Sequence, residues 1–499
     1  MAVGAAPPPA LLSLFRPRLL SLLFLVLPLS RASAQPFPGP SIFGCSQEGC
    51  DPSRSFHAPV VGPLPLHPGT QILWRDPDVT LEEGAWGCAS DGTRAVCSWN
   101  DDQGLAEYDL ASRGKGWTTG IIGSAFSGSS PLLTSAGGDF GDEYVVGMDN
   151  DTFAVLNAAN GIVTLAAKVG TAEGTGLPKV PVLGPTLLQQ EGSGDRVVLL
   201  VDQSGKLVAW SVSLGFCWAS AYLCPPGISF SDCQSEPERG YLRPISTPAL
   251  NSAATVAYIG TQHYFNGSHG NGYLVSLKAG GISSRLHVLW TMEFDHGYEL
   301  MPGITVADNI VMVHLCRAKG KLLKGYSCNL TAIEDVDSTS GKIIWSTVVL
   351  ETSERLPTPS ELSIALDPRG GVWAWTFVEL RRLKVTTGDV IQRIEASDLG
   401  GEPVSHFLIS FNSSSAAPVL FGAFAQAKRN NGFEVVAINL TVQSKTVTSP
   451  QPIEILWKIG LHGSPPGQVT IISSMAPNNQ NTSSSALLVP SSDGLVVLG

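Results

Sequence analysis

Short apolar runs separated by polar turns recur along the chain at an interval of about 55 residues. In each unit a strand led by proline precedes an apolar strand, and a turn containing Asp or Gly leads to a third apolar strand. A turn of the type D-x-x-T/S-G then leads to a fourth strand, which often ends in Trp. Residues 311–345 show this most clearly, as VMVHLC, an insertion, and LTAIEDVDSTSGKIIW. The pattern predicts four short strands per unit.

The units follow one another evenly over residues 69–499. The second strands are expected near positions 88, 145, 198, 256, 310, 364, 419 and 487. Four strands per unit at such a spacing are typical of a β-propeller, whose blades cover each other's faces. A β-sandwich is the alternative, but it does not need eight evenly spaced copies. We therefore predict an all-β, eight-bladed β-propeller of four-stranded antiparallel blades.

The two ends of the repeat region complement each other. Residues 486–499, ALLVPSSDGLVVLG, have the pattern of a second and a third strand, and the chain then ends. Residues 70–74, TQILW, have the pattern of a fourth strand. We expect N- and C-terminal strands to share one blade and close the ring, because closure removes a free sheet edge. A truncated reading frame is the alternative explanation of the abrupt end.

The first 34 residues have the features of a signal peptide. Arg16 and Arg18 precede the apolar run at 19–29, and Ala-Ser-Ala at 32–34 fits a cleavage site. An organelle transit peptide is the alternative. Residues 35–68 form a Pro/Gly-rich segment, and no later run reaches the ~18 apolar residues of a membrane helix. We expect a protein of the secretory pathway, extracellular or associated with the cell surface, without a transmembrane anchor of its own.

Charge and glycosylation sequons agree with that compartment. The net charge of −11 argues against a nucleic-acid surface, which would be basic. Asn-x-Ser/Thr sequons make six residues candidates for glycosylation, since such triplets are acceptors in secreted proteins. These residues are Asn150, Asn266, Asn329, Asn412, Asn439 and Asn481.

The nine cysteines fall into local groups without any C-x-x-C pair, which argues against zinc and thioredoxin-like sites. The groups are Cys45/Cys50, Cys88/Cys97, Cys217/Cys224/Cys233 and Cys316/Cys328. Cys88 and Cys97 are expected opposite each other on a hairpin, and Cys316 and Cys328 at the base of the basic insertion RAKGKLLKGYS. Two cysteines of the group of three are expected to pair, or the odd one to join Cys45 or Cys50.

The repeat, including its T/S-G turn and terminal Trp, resembles that of the quinoprotein dehydrogenases. The resemblance covers nearly all of residues 69–499 and implies an eight-bladed propeller that binds pyrroloquinoline quinone with calcium. Enzymes of this family stack the quinone between a Trp and a disulfide of two adjacent cysteines, and this chain has no Cys-Cys pair. The non-catalytic relatives include a propeller lipoprotein of bacterial outer-membrane assembly and propeller ectodomains of plant and algal surface proteins. We expect the chain to resemble that group.

No catalytic or cofactor-binding residue is assigned. Four aspartates at repeat positions, Asp149, Asp202, Asp335 and Asp337, are expected to cap turns rather than act as a base. Trp373 and Trp375 alternate on one strand and could face a ligand, but packing between blades is the preferred interpretation.

No metal site is assigned either. His263 and His269 lie in the Gly/Asn/Ser-rich insertion TQHYFNGSHGNG, and His296 follows it. A solvated loop explains the two insertion histidines better than a metal site does.

These observations favour a non-enzymatic secreted or surface propeller over an enzyme. Insertions at 214–240, 261–272 and 316–328 are the candidates for a surface that binds a protein or a glycan, with no cofactor. The alternative is a quinone-dependent sugar or alcohol dehydrogenase, which requires pyrroloquinoline quinone and calcium. A glycosidase-type propeller needs paired carboxylates that face the axis, and the spacing of the repeats selects no such pair.

Overall fold

A computed structural model of the chain describes the strands and many of their connections. The described residues are 57–58, 72–77, 88–90, 94–99, 104–109, 112, 114–119, 131–135, 142–147, 152–169, 182–189, 196–202, 204–212, 215–227, 241–265, 268–279, 286–295, 297–319, 325–352, 356–357, 361–367, 369–376, 378–410, 418–425, 432–440, 454–463, 470–474, 484–491 and 494–499. The expected signal peptide at 1–34, together with Cys45 and Cys50, lies outside them.

Seven blades are each built on antiparallel strands from one continuous stretch of chain, and in blade 7 the strand β1 (His57–Ala58) adds to this sheet in parallel. Blade 1 consists of β3 (Cys88–Ser90), β4 (Arg94–Trp99), β5 (Gly104–Asp109) and β6 (Gly114–Thr119). Blade 2 consists of β7 (Leu132–Ser135), β8 (Asp142–Gly147), β9 (Thr152–Asn157) and β10 (Val163–Lys168). Blade 3 consists of β11 (Val182–Gln189), β12 (Arg196–Asp202), β13 (Lys206–Ser211) and β14 (Phe216–Tyr222). Their first strands lie innermost and their fourth strands outermost.

Blades 4 to 7 follow the same order. Blade 4 consists of β15 (Tyr241–Pro244), β16 (Ala249–Leu250), β17 (Val256–Phe265), β18 (Ser268–Lys278) and β19 (Val288–Glu293). Blade 5 consists of β20 (Tyr298–Ala307), β21 (Ile310–Ala318), β22 (Tyr326–Val336) and β23 (Ser340–Thr352). Blade 6 consists of β24 (Ile364–Asp367), β25 (Gly371–Trp375), β26 (Glu379–Lys384) and β27 (Val390–Glu395), and blade 7 of β28 (Leu408–Ser410), β29 (Val419–Ala425), β30 (Gly432–Asn439) and β31 (Glu454–His462). In blade 4, β15 and β16 both pair with β17. A short helix α1 (Ala396–Leu399) follows β27.

A composite sheet combines both ends of the repeat region. Its order is β32 (Thr470–Ser474), β33 (Ser484–Ser491), β34 (Gly494–Leu498) and β2 (Ile72–Asp76). β2 and β34 are antiparallel, with Trp74 opposite Val497 and Asp76 opposite Leu495. The prediction that residues near 70–74 supply a fourth strand beside the last two strands is therefore confirmed.

Hydrophobic clusters lie between sheets that follow one another around the molecule. Leu105 of blade 1 and Leu156 of blade 2 share one cluster, and corresponding clusters join each later pair of blades. The composite sheet packs in the same way, through Leu487 against Trp457 of blade 7 and through Val497 against Tyr108 of blade 1. Burial on both faces explains why strands such as VVLLV carry no polar alternation. The all-β propeller of four-stranded antiparallel blades is confirmed, but seven blades, and not the predicted eight, are each formed from one stretch of chain.

Two of the predicted second strands are in fact the first strands of their blades. The runs near 88 and 364 are the first strands β3 and β24, not second strands. Blade 6 shows the reason, because β24 and β25 are both apolar and almost fully buried and are joined by the turn DPRGG. Two successive apolar strands give the same pattern whichever of them is counted as the second.

Trp side chains on outer strands hold neighbouring blades together. Trp117 Nε1 donates a hydrogen bond of 2.9 Å to the carbonyl oxygen of Ala158, and Trp345 Nε1 one of 2.7 Å to that of Val385. Each carbonyl belongs to the residue after the third strand of the next blade. The fourth strand of blade 6, VIQRIE, has no Trp. There Arg369 Nη2 donates to the corresponding carbonyl of Leu440, at 3.0 Å.

In blade 6 the glycine of the T/S-G turn, Gly388, lies beneath the Trp345 ring. Replacing it should therefore destabilise the fold through this contact. Gly388 has a φ of +72°, and a Cβ there would lie 2.8 Å from the Trp345 ring. Gly370 has a φ of +79° but has nothing within 4 Å of such a Cβ. We expect Gly370→Ala to cost about 1–2 kcal/mol from backbone strain alone. Gly388→Ala should cost about 1–3 kcal/mol more, since the ring must move as well.

Urea unfolding of the two variants measures that difference. Equal losses in the free energy of unfolding would show that packing of the Trp345 ring on the turn adds nothing to strain.

Candidate interaction face

The strands of blades 4 and 5 extend beyond those of most other blades. β17 and β18 have 10 and 11 residues, and β22 and β23 have 11 and 13. Because successive strands alternate in direction, the loops between second and third strands lie on the same face as the connections from each fourth strand to the next blade. The predicted insertions 261–272 and 316–328 are loops of the first kind. The term interaction face denotes the ends of these two hairpins, at residues 261–272 of blade 4 and 316–328 of blade 5, with the strand ends beside them.

The insertion at 214–240 was assigned too broadly. Residues 216–222 form the outer strand β14, which begins at the face opposite to the interaction face and runs toward it. Residues 223–240 connect β14 to blade 4, and of these the structure describes 223–227. This connection therefore joins the two hairpins on one face, whereas the turn before Phe216 does not.

The hairpin of blade 5 is stapled at its base. Cys316 and Cys328 lie opposite each other and form a disulfide, as predicted, with Cα atoms 4.0 Å apart. Beyond the disulfide, Arg317 pairs with Ser327 and Ala318 with Tyr326. Both flanking strands reach this level, because Tyr298 pairs with Arg317 and Thr352 with Tyr326. The described backbone of this hairpin is thus paired on both sides as far as Ala318 and Tyr326.

Arg317 presents its charge at this end of blade 5. The residue is exposed, and its guanidinium carbon lies 5.7 Å from the centre of the Tyr298 ring. A cation over an aromatic face gains about 0.5–1 kcal/mol at an exposed site and restricts the side chain. Lys319 forms an ion pair with Glu351 at 3.3 Å. The hairpin thus carries two cations, of which Arg317 lies over an aromatic ring and Lys319 pairs with a carboxylate.

Blades 4 and 5 pack closely just below the hairpin ends. A Cβ at Gly272 would lie 2.9 Å from Cβ of Leu300, and one at Gly260 would lie 2.9 Å from Cδ2 of the same residue. Both glycines therefore permit the backbone of blade 4 to approach β20 of blade 5. The two hairpins rise from a tightly packed base.

A single carboxylate, that of Glu293, is held by two side chains in the extended part of blade 4. Asn271 Nδ2 donates to Glu293 Oε1 at 2.5 Å, and the Tyr273 hydroxyl also bonds to Glu293. Burial, the bond to Glu293 and its charge raise the pKa of Tyr273 to about 12. The ring of His263 lies edge-on to that of Tyr273, with centroids 6.4 Å apart. Burial lowers the pKa of His263, and the charge of Glu293 opposes this effect.

The interaction face therefore combines opposite charges with aromatic rings. An Arg-Tyr pair stands on blade 5 and a carboxylate held by Asn271 and Tyr273 stands on blade 4. Tyr and Arg are enriched where proteins bind one another. The sequence indicated the insertions, but it gave no signal for Glu293 or Tyr298, which lie outside them and join the face through strand pairing.

The repeat aspartates that are described have structural roles. Asp202 Oδ1 accepts hydrogen bonds from the backbone N–H groups of Ser204 and Lys206, so it caps its own turn as expected. Burial raises the pKa of Asp202, against the effect of these bonds. Asp337 lies in a turn with a φ of +51°. Asp149 lies outside the described residues.

Asp335 joins blades 4 and 5 instead of capping a turn. Its Oδ2 accepts a hydrogen bond of 2.7 Å from the Tyr258 hydroxyl, and its Oδ1 accepts one of 3.1 Å from Trp290 Nε1. Burial, and then the bond to Asp335, raises the pKa of Tyr258. Because both oxygens are engaged by the neighbouring blade, the carboxylate serves packing.

Trp373 and Trp375 are buried between blades 6 and 7, in one cluster with Phe424. The ring of Trp375 lies 6.3 Å from that of Phe424. The preferred interpretation, packing between blades, agrees with this position, and neither ring is exposed to a ligand.

The structure describes four of the other seven cysteines. Cys88 and Cys97 lie opposite each other and form the predicted disulfide. Cys224 is disulfide-bonded, whereas Cys217 on the outer strand β14 is an exposed free thiol. Cys233 lies outside the described residues. Of the two described cysteines in the group of three, Cys217 is therefore the unpaired one.

Two glycosylation candidates lie on described strands. Asn329 donates a hydrogen bond of 3.4 Å to Ser346 Oγ, and Asn439 one of 2.6 Å to Glu454 Oε2. Their glycosylation remains a prediction. Asn150, Asn266, Asn412 and Asn481 lie outside the described residues.

In the described part of the chain, no three His, Cys, Asp or Glu side chains are grouped closely enough to hold a metal ion. The side chain of His269 and all of His296 lie outside the described part. No helix in the described ranges is long and apolar enough to cross a membrane.

Comparison with known proteins supports the fold. No protein-family model and no curated protein sequence matches the chain. A europium-containing methanol dehydrogenase is 10% identical, with a TM-score of 0.56 over 90% of each chain. Quinohemoprotein alcohol dehydrogenase ADHIIG from Pseudomonas putida HK5 is 9% identical, with a TM-score of 0.57 over 92% of this chain and 80% of that one. BamB from Moraxella catarrhalis is 12% identical, with a TM-score of 0.47 over 84% and 97%.

At such identities the likeness concerns the fold alone. The two dehydrogenase structures confirm the resemblance in fold to the quinoprotein propellers that the repeat predicted.

Proposed function

We propose that the chain is a non-enzymatic interaction propeller that binds a protein partner through the interaction face on blades 4 and 5. The observation that supports this proposal is the pair of neighbouring hairpins, one held by the Cys316–Cys328 disulfide and both rising from a packed base. A rigid surface with aromatic and Arg side chains loses little conformational entropy on binding. A glycan is the alternative ligand, and the Asn271–Glu293–Tyr273 cluster is the part of the face that suits hydroxyl groups.

Charge reversal at the face tests the proposal. We expect Arg317→Glu to weaken partner binding by about 2 kcal/mol, roughly thirtyfold, since central Arg residues often dominate interfaces. Lys342→Glu is the matched control, because Lys342 is an exposed cation on the same blade near the opposite face. Affinities for the partner purified from the native secretory compartment are measured by calorimetry. Equal affinities of the two variants would rule out this face, and parallel measurements on a glycan array distinguish the two ligand classes.

A quinone-dependent dehydrogenase is the second candidate, because two structures of similar fold are named as dehydrogenases. The chain's own residues fit that chemistry poorly. It has no adjacent cysteines to stack on the quinone, and its paired tryptophans Trp373 and Trp375 are buried between blades. Reconstitution with pyrroloquinoline quinone and calcium, followed by dye reduction with a panel of sugars and alcohols, tests this candidate. Turnover would contradict the interaction module.

The proposal includes a closed ring in which the composite sheet is an eighth blade. Pairing of β2 with β34, and the clusters that join this sheet to blades 7 and 1, support closure. Val497→Asp would place a charge in the cluster with Tyr108. We expect a loss of at least 3 kcal/mol in the free energy of unfolding, as for an unpaired buried charge. A change below about 1 kcal/mol in urea unfolding would argue for an open ring.

A further inference from the structure

His57 and Ala58 form a strand, β1, on the axis side of blade 7. β1 pairs with β28 in parallel, with His57 opposite Ile409 and Ala58 opposite Ser410. β28 is the first strand of its blade, and its other edge is occupied by β29. First strands of neighbouring blades contact each other, and β1 also contacts β24 of blade 6. The edge of β28 that receives β1 therefore faces the axis of the propeller.

The direction of β1 is fixed by its pairing. First strands run from the interaction face toward the opposite face, and β1 is parallel to one of them. β2, the next described strand, is the outermost strand of the composite sheet. Residues 59–71 connect the two, and at about 3.3 Å per residue they are long enough to pass from the innermost to the outermost position of a four-stranded sheet, roughly 15–20 Å.

We propose that the inner edge of blade 7 is a strand-accepting site, which the chain's own strand β1 occupies on the axis side. An unpaired inner edge would leave N–H and C=O groups of β28 without partners, and a strand of the same chain supplies them at high effective concentration. The same strand also contacts β24, so it covers the axial side of the junction between blades 6 and 7. Blade 7 is thus a strand-accepting site whose occupant is the protein itself. This inference does not depend on the interaction face.

A cysteine pair at the observed register tests the axial strand. Directly paired residues of neighbouring strands have Cα atoms about 5 Å apart, which suits a disulfide. In the full chain we expect Ala58→Cys with Ser410→Cys to form a cross-link on mild oxidation, detected as one linked peptide pair by mass spectrometry. Ala58→Cys with Ser220→Cys is the control, because Ser220 is exposed on the outer strand β14 of blade 3. Equal yields in the two variants, or none in the first, would overturn the proposal.

Hydrogen exchange on the unmodified protein keeps the test independent of the variants. Peptides containing Ala58 and Ile409 are both expected to exchange at least tenfold more slowly than an unstructured reference. Fast exchange at Ala58 would overturn the axial strand even if the cysteine variants fail to fold. Loss of partner binding, by contrast, would bear only on the interaction face.

Discussion

Replacing His314 with Leu is expected to remove about 5 kcal/mol of the acid sensitivity of folding between pH 7 and pH 3. His314 lies on β21 with Met312 and Cys316 on the same side, facing blade 6. It is 1% exposed, and neither imidazole nitrogen has a hydrogen-bond partner among the described residues. Burial lowers the pKa of His314 from 6.5 to about 3. The imidazole is therefore neutral in the folded protein.

The sign of the pH effect follows from that shift. The unfolded chain binds a proton at His314 near pH 6.5, whereas the folded protein does so only near pH 3. The stability that depends on the neutral ring is thus complete above pH 6.5 and is lost as the pH falls toward 3. About 3.5 pKa units at 1.36 kcal/mol each give the 5 kcal/mol. At pH 7, His314→Leu should stabilise the fold by about 1–3 kcal/mol, since two unpaired polar atoms are removed.

Urea unfolding between pH 3 and pH 8 measures this effect. The control is His462→Leu, because His462 is exposed on β31. The control should keep the acid sensitivity of the natural protein, and His314→Leu should reduce it. Parallel pH profiles for His314→Leu and the natural protein would contradict the assignment.

Removing the carboxylate of Asp367 is expected to cost about 3–5 kcal/mol. Asp367 Oδ2 lies 2.8 Å from Arg382 Nη2, and its Oδ1 lies 3.1 Å from Arg369 Nε. Burial alone would raise the pKa of Asp367, but the bonds from Arg369 and the charge of Arg382 outweigh it and hold that pKa below 3.8. Arg382 is 6% exposed, so Asp367→Ala leaves a buried cation without its closest anion.

A second variant separates charge from packing. Asp367→Ala with Arg382→Met removes the whole pair, and buried pairs replaced by apolar groups are often neutral or stabilising. We expect the double variant to recover at least half of the stability lost by Asp367→Ala, measured by urea unfolding. If the double variant loses more than Asp367→Ala alone, hydrogen bonds and shape at this position outweigh the buried charge.

The sequence was informative where a feature is local or repeated. The Cys88–Cys97 disulfide follows from a short hairpin turn, and the role of residues near 70–74 follows from the fourth-strand pattern of ILW. The phase of β3 and β24 was misassigned, because strands buried on both faces lose the alternation that would number them. Periodicity gives the number of strands more reliably than their order.

Contacts between distant segments were beyond sequence reasoning. β1 is only two residues long, and its partner β28 follows more than 300 positions later. Asp335 has the spacing of a turn cap, yet it accepts hydrogen bonds from Tyr258 and Trp290 of another blade. Glu293 gained its place beside Tyr273 through the pairing of β18 with β19. In each case tertiary packing, and not local propensity, fixes the role of the residue.

Cross-linking with a lysine-reactive reagent on the partner-bound protein tests the interaction face most directly. Lys319 lies at the end of the blade 5 hairpin, whereas Lys342 and Lys384 are exposed near the opposite face. We predict that cross-links to the partner include Lys319 and exclude Lys342 and Lys384. Cross-links confined to Lys342 and Lys384 would place the partner on the other face and contradict the proposed function.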